Sequence, residues 1–411
     1  MQNRNLSLGF LAAVMVAVTV LGAATRSIAQ QESVLYSFGN GTDASDPQGD
    51  LAMDAAGNFY STSWSGGEYG LGTVYELSPG ADGTWTEQVL YSFGNGTDSA
   101  NPRSGVTFDA AGVNLYGAAV NGGAYGQGTV FELSPAAGGG WTEKILFSFD
   151  GTDGTAGWDR PIFDGAGNLY GTSGVGGVYG EGVLYKLAPH ADGTWAETVL
   201  HNFGKGTDGT QPQGALIHDA ESNLYGTTTY GGTSWLDNGW NGIVFELSPK
   251  SGGGWTYTVL HNFTGGSDGA NPFAGVTMDA SGNLYGVTYF GQTVFKMTLG
   301  AGGTWTLETL YTFDENSTQG SSPWPTVTLA GGKIYGSAQW GDPNNGGTAF
   351  EIGPTSDGNW GYKVLHSFGL TSSDGANPSF SKVVVDKSGT EYGITWAGGA
   401  YGGGAFYQIT P

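Results

Sequence analysis

The chain has 411 residues, a formal net charge of −23 and no cysteine. Such acidity repels nucleic acid and anionic lipid head groups, which removes both as partners, and without thiols no disulfide can contribute. An aromatic content of 13% separates it from acidic disordered chains, which lack Trp and Tyr.

The first thirty residues read as an export leader. Arg4 gives a positive start, residues 8–24 are apolar or small throughout, and "RSIAQ" at 26–30 offers small residues for cleavage after Ala29. A retained anchor needs about 20 apolar residues, and this run is short for one. The expectation is a signal peptide over 1–29 and a single exported domain over 30–411. That domain is periplasmic or extracellular, has no transmembrane segment and acts as a monomer.

After the leader comes "SVLYSF" (33–38), and then one unit repeats. Its pieces in residues 105–149 are "GVTFDAAG", "NLYGAA", "GTVFELSP" and "WTEKILFSF". All are short, rich in β-branched and aromatic residues, and separated by Gly, Asp, Asn and Pro, so each unit is a four-stranded antiparallel meander. Trp85, Trp141, Trp195, Trp255, Trp305 and Trp360 mark the beat. Apolar residues on both faces of the third piece require a neighbouring sheet on each side. The second piece occurs seven times, at Tyr60, Tyr116, Tyr170, Tyr225, Tyr285, Tyr335 and Tyr392. The last unit stops after its third piece, "GAFYQITP" (404–411), and the stray "SVLYSF" at the front is its missing fourth strand. The fold class is therefore all-β, a seven-bladed propeller closed by its N-terminal strand.

The copies read "NPxxGxxxDAAGNLYGTTxxGGxYGxGTVFELSP…GGGWTExVLYSF". This pattern resembles the Gly-rich tandem-repeat family of secreted bacterial proteins called GloVer-containing, over the whole chain after the leader. The resemblance implies a repeat propeller and brings no activity with it. The paired Gly trails the strand-two Tyr by several residues, which sets the unit apart from kelch repeats.

Residues present in nearly every unit have structural explanations. The Asp ending strand one (Asp54, Asp109, Asp164, Asp219, Asp279, Asp386) caps a tight turn. The Gly after the strand-two Tyr permits close backbone approach near the axis. His201, His261 and His366 occupy a slot held elsewhere by Tyr or Phe in an outer strand, and His218 sits at an apolar position as a core histidine. Equivalent positions in different blades are far apart, so no metal site is expected among them. Loop residues Asp43, Asp98, Asp153, Asp208, Asp268 and Asp374 are read as turn chemistry, with calcium the alternative and no other cofactor expected.

Function is sought where the copies disagree. At the position that follows the Pro leading into most of the innermost strands stand Gln48, Arg103, Trp158, Gln213, Phe273, Trp324 and Ser379. Two residues further, Gly105, Ala215 and Gly275 are small, whereas Asp50, Arg160 and Lys382 are charged. The loops between strands two and three add Trp64, Tyr230, Trp235, Trp240, Tyr289, Trp340 and Trp396. A funnel rim of aromatic and mixed polar groups suits a glycan or other neutral polymer, and a ligand-binding module is the first expectation. Drift on an exposed rim, leaving an envelope-interaction scaffold, is the second. A hydrolase or lyase is the third: after the leader only Arg103 and Arg160 remain, too few for the three-Arg grip of sialidases, and a copper-radical oxidase needs a Cys. A carboxylate pair from Asp50, Asp159 and Asp237 stays open, since the separation of the two acids decides such chemistry.

Overall fold

Strands this short gain little alone; they persist because each pairs with the next and both faces are covered. The computed structural model describes residues 31–155, 157–233, 240–314, 319–342, 344–378 and 380–411; the expected leader, Trp235, Asp237 and Ser379 lie outside these. In blade two the strands are Ser99–Phe108, Leu115–Gly122, Thr129–Pro135 and Trp141–Ser148, each antiparallel to the one before. Seven such sheets form the propeller, with strand one innermost and often only two residues long. No helix among the described residues is long and apolar enough to cross a membrane.

Blade seven takes its outer strand from the front of the chain. Gln31–Ser37 pairs with Ala405–Thr410, from Gln31 opposite Thr410 to Ser37 opposite Ala405, with a register shift between Val34 and Tyr36. The same shift recurs in the third-to-fourth strand pairing of the other six blades, as between Ile145 and Phe147. Head and tail thus meet with the geometry of an ordinary hairpin.

The apolar core is divided into seven clusters, one between each pair of neighbouring blades. Between blades two and three, Tyr116, Val130 and Phe149 pack on Leu169, Tyr185 and Leu187. The repeated Trp reaches over the strand-two Tyr of the preceding blade, as Trp195 does over Tyr116 with ring centroids 6.4 Å apart. The Asp caps form as expected: Asp54 Oδ1 accepts from the backbone N–H groups of Ala56 and Asn58.

Two expectations are corrected. The Gly after the strand-two Tyr does not make room at the axis; it makes room for an aromatic ring of strand three, since a Cβ on Gly117 would lie 2.5 Å from Phe131 Cζ. His218 is not a core residue: it is exposed at the end of a two-residue strand, its Nδ1 3.1 Å from the Asp219 carbonyl.

At the outer rim each junction repeats one constellation. Tyr36 donates its hydroxyl to Asp43 (3.0 Å) and to Glu87 of the next blade (3.3 Å), and Glu87 also accepts the N–H of Ala44. Tyr91, Asp98 and Glu143 do the same one blade on. Phe147 has no hydroxyl to give, and Oε1 of its neighbour Glu197 is buried without a partner. Burial raises both Glu87 and Glu197 to about 7.

One position breaks the repeat inside the core. Glu391 stands where the other blades place Phe59, Leu115, Leu169, Leu224, Leu284 and Ile334; it is 1% exposed, and its Oε2 has no partner. Burial holds its pKa well above the ordinary 4.5. Folded protein therefore keeps a proton that the unfolded chain releases, so this group's contribution to stability falls as pH rises above about 4.5. Glu391→Leu should stabilise the protein by about 1–3 kcal/mol at neutral pH and by less at pH 4, measured by denaturant unfolding at both values. Deleting residues 31–38 should lower the unfolding midpoint sharply, since Phe38 is fully buried in the cluster between blades seven and one; a midpoint equal to the parent's would show that the seam closes nothing.

Candidate functional site

The chain enters each innermost strand through a kink. The residue before the Pro has positive φ in six blades: Asp46, Asn101, Gln211, Asn271, Ser322 and Asn377, at 51–57°. Left-handed backbone before Pro is unusual, and side-chain bonds hold it: Asn101 Nδ2 donates to the Trp64 carbonyl, and Asn271 Nδ2 to those of Thr229 and Trp240. The kink turns the following residue toward the axis. Below it the strands approach so closely that a Cβ on Gly275 would lie 2.1 Å from the Ala215 carbonyl oxygen, and one on Gly105 2.5 Å from that of Asp50. The small residues of this level are there because nothing larger fits.

The unlike residues above the constriction converge. Arg103, Trp158, Gln213, Phe273, Trp324 and Phe380, with Asp50 and Asp159, line one narrow funnel. Phe273 and Trp324 stack with centroids 4.6 Å apart, and Phe380 meets Trp324 edge-on at 5.2 Å. The Arg103 guanidinium lies between two rings, 4.1 Å from the centre of Trp158 and 4.4 Å from that of Phe380. Burial lowers its pKa to about 10, so it stays charged at neutral pH. Tyr289 packs edge-on against Phe273 and Trp324, and Tyr230 links Phe273 to the exposed Trp240. Gln213 Oε1, on the funnel wall, is buried without a hydrogen-bond partner.

Charges close the floor. Asp50 Oδ1 accepts the backbone N–H of Lys382 (2.7 Å), and its other oxygen lies 3.9 Å from Arg160 Nε. The Lys382 ammonium reaches across to the Thr277 hydroxyl at 3.4 Å; burial lowers its pKa, against the pull of Asp50. Asp159 keeps some solvent contact but is enclosed by protein, and burial, followed by the neighbouring Asp50 charge, holds its carboxyl well above the usual range. Asp50 is shared with a second recess, which Arg160 and Lys382 line, so the acid stands between the two.

Gln48, Trp64, Arg160, Trp340, Lys382 and Trp396 are not among the residues lining the funnel. Trp64 supplies a backbone acceptor to the kink, and the Trp396 indole N–H is buried without a partner. Phe380 is the lining residue that the spacing hides. Blade seven carries one residue more between Pro378 and Asp386 than the other blades do, so Phe380 rather than Ser379 matches Phe273. Its φ of 77° marks the adjustment.

Solved propellers share this architecture at low identity. Virginiamycin B lyase from Staphylococcus aureus aligns over 93% of this chain and 99% of its own, at 14% identity and a TM-score of 0.52. A protein from Lactobacillus plantarum aligns over 82% and 88% at 14% identity and 0.54. An ancestral GH74 enzyme aligns over 89% of this chain and 51% of its own, at 14% identity and 0.51. These likenesses concern the fold alone. No curated protein sequence matches the chain. The Gloeobacter/Verrucomicrobia repeat matches three overlapping stretches, residues 24–240, 110–306 and 234–411. Together they span the seven blades, and the chain belongs to the Gloeobacter/Verrucomicrobia repeat family.

Proposed function

We propose that the funnel binds a carbohydrate, either a short oligosaccharide or the end of a neutral surface polymer. One observation carries this reading: residues that break the repeat in blades two to seven meet in a single arc of rings around the axis, with hydrogen-bonding groups beneath. The C–H face of a pyranose packs against rings such as Phe273, Trp324 and Trp158. Its hydroxyls would find the unpartnered Gln213 oxygen, the Arg103 guanidinium and the Asp50 and Asp159 carboxyls. The overall charge of −23 favours a neutral ligand over an anionic one. Export, as the leader leads one to expect, would bring the site to envelope or extracellular polymers.

The test is retention on a panel of immobilised glycans, followed by calorimetry with any that bind. Trp324→Ala and Arg103→Ala should each weaken binding about tenfold or more, while Trp340→Ala, outside the funnel, should leave it unchanged. A parent protein that retains no glycan overturns the reading and favours a scaffold.

A second reading rests on the acid pair at the floor. A carboxyl whose pKa burial raises, set beside a second carboxyl, is an arrangement that general acid–base chemistry uses. With Asp159 as proton donor, the protein would cleave a glycan that it also binds. Asp159→Asn should then abolish release of new chain ends with affinity retained, and the parent's activity should fall as pH rises and Asp159 loses its proton. No release of ends from any bound glycan would leave binding alone.

A further inference from the structure

The outer-rim constellation, compared around the ring, has one member unlike the rest. Six of the seven junctions bring together a strand-four aromatic or His, the Asp of the following loop, and a strand-four residue of the next blade. Two junctions combine Tyr, Asp and Glu, and one combines Phe, Asp and Glu. Two more pair His with Asp, His201 with Asp208 and His261 with Asp268, both at 3.0 Å, and the third positions hold Tyr257, stacked on His201, and Leu307. Tyr311 stacks on Tyr362 at another. Only the junction of blades six and seven, where the front strand closes the ring, joins His366 and Asp374 to a carboxylate, Glu32.

We propose that Glu32, His366 and Asp374 form a binding site for a divalent transition-metal ion of the zinc type, clipping the front strand to the body of the ring. One ligand atom from each lies within 4.8 Å of the other two, and no other group of three His, Cys, Asp or Glu among the described residues does this. Glu32 Oε1, His366 Nε2 and Asp374 Oδ1 are all buried, and none has a hydrogen-bond partner. The Asp374 side chain is 94% buried; its Oδ2 accepts the Leu370 N–H, which leaves Oδ1 turned into the cluster with nothing to bind. At the two comparable His–Asp junctions the imidazole bonds its aspartate directly. Here Nε2 stands 3.4 Å from Asp374 Oδ2, outside hydrogen-bond geometry, and faces a second acid.

The donor set selects the cation. One imidazole and two carboxylates suit zinc and its first-row neighbours, whereas calcium takes six to eight oxygens and magnesium prefers oxygen and water. Zinc–ligand bonds of about 2.0–2.2 Å put tetrahedral ligand atoms about 3.4 Å apart. Side-chain rotation of about 1 Å closes the present spacing to that value. Three protein ligands leave a fourth position for water or for a further group. An ion here would join the first strand of the ring to its sixth and seventh blades, tightening the seam by binding folded protein in preference to unfolded chain.

The experiment uses the full chain, stripped with EDTA and titrated with zinc chloride by calorimetry, with thermal unfolding in parallel and magnesium and calcium chloride for comparison. One zinc per chain should bind. At a hundredfold excess over its dissociation constant the unfolding equilibrium should shift about a hundredfold toward the folded side. His366→Tyr installs the residue that Tyr36 and Tyr91 represent at other junctions, able to donate to both acids. It should remain folded, bind zinc at least tenfold more weakly and lose the zinc-dependent rise in midpoint. Glu32→Gln, a nearly isosteric change, should lose the same two signals and carries the test if His366→Tyr fails to fold. His201→Tyr should bind zinc as the parent does. Absence of one-to-one zinc binding by the parent, or parent-like binding by Glu32→Gln, overturns the proposal.

Discussion

The pairing of Gln31–Ser37 with Ala405–Thr410 is the contact on which the rest of the structure depends. Each blade covers both of its faces with neighbours, so an open array would leave two faces and two sheet edges in water. Closure spends one strand from the front of the chain to remove all of them. It also completes the cluster in which Phe38 and Tyr36 pack beside Phe59, Tyr75 and Phe406. The recurring register shift shows that nothing special was needed: the seam uses the same bulged pairing as every covalent hairpin.

Closure also divides labour between rim and axis. Packing energy resides in the seven inter-blade clusters, which draw on the repeated Tyr, Trp, Phe and Leu. Residues pointing into the funnel contribute little to those clusters and are free to differ from blade to blade. That is why Arg103, Trp158, Gln213, Phe273, Trp324 and Phe380 can be four different residue types at one repeat position. The Gly and Ala residues just below them are not free, because the strands come together there.

Much of this was legible in the sequence. Strand order, blade number and the seam follow from counting the copies of the strand-two Tyr and noticing a strand at the front without partners. The convergence of Arg103, Trp158 and Trp324 follows from their shared repeat position, six residues ahead of the end of strand one. Other features were not legible, because they depend on which side chain faces which. Phe380 was hidden by a single inserted residue that shifts the count after Pro378. His218 looked buried because Met53 and Met278 share its position, yet that position lies at the open end of the shortest strands, where Met53 is itself 44% exposed. The Glu32, His366 and Asp374 cluster escaped a reading that compared like positions with like. It joins three different repeat positions across a junction, and only at the seam does a glutamate face a His–Asp pair.

The register of the seam has a mechanical consequence. Gln31 and Thr410 lie directly opposite each other at one end of the two paired strands. A pull applied between these two residues would load the first hydrogen-bonded pair alone, then the next, in the manner of a zip fastener. Shear, which loads all pairs together, would require tension from opposite ends of the ladder. The seam is therefore weakest to a pull that separates Gln31 from Thr410 and strongest to one along the ladder.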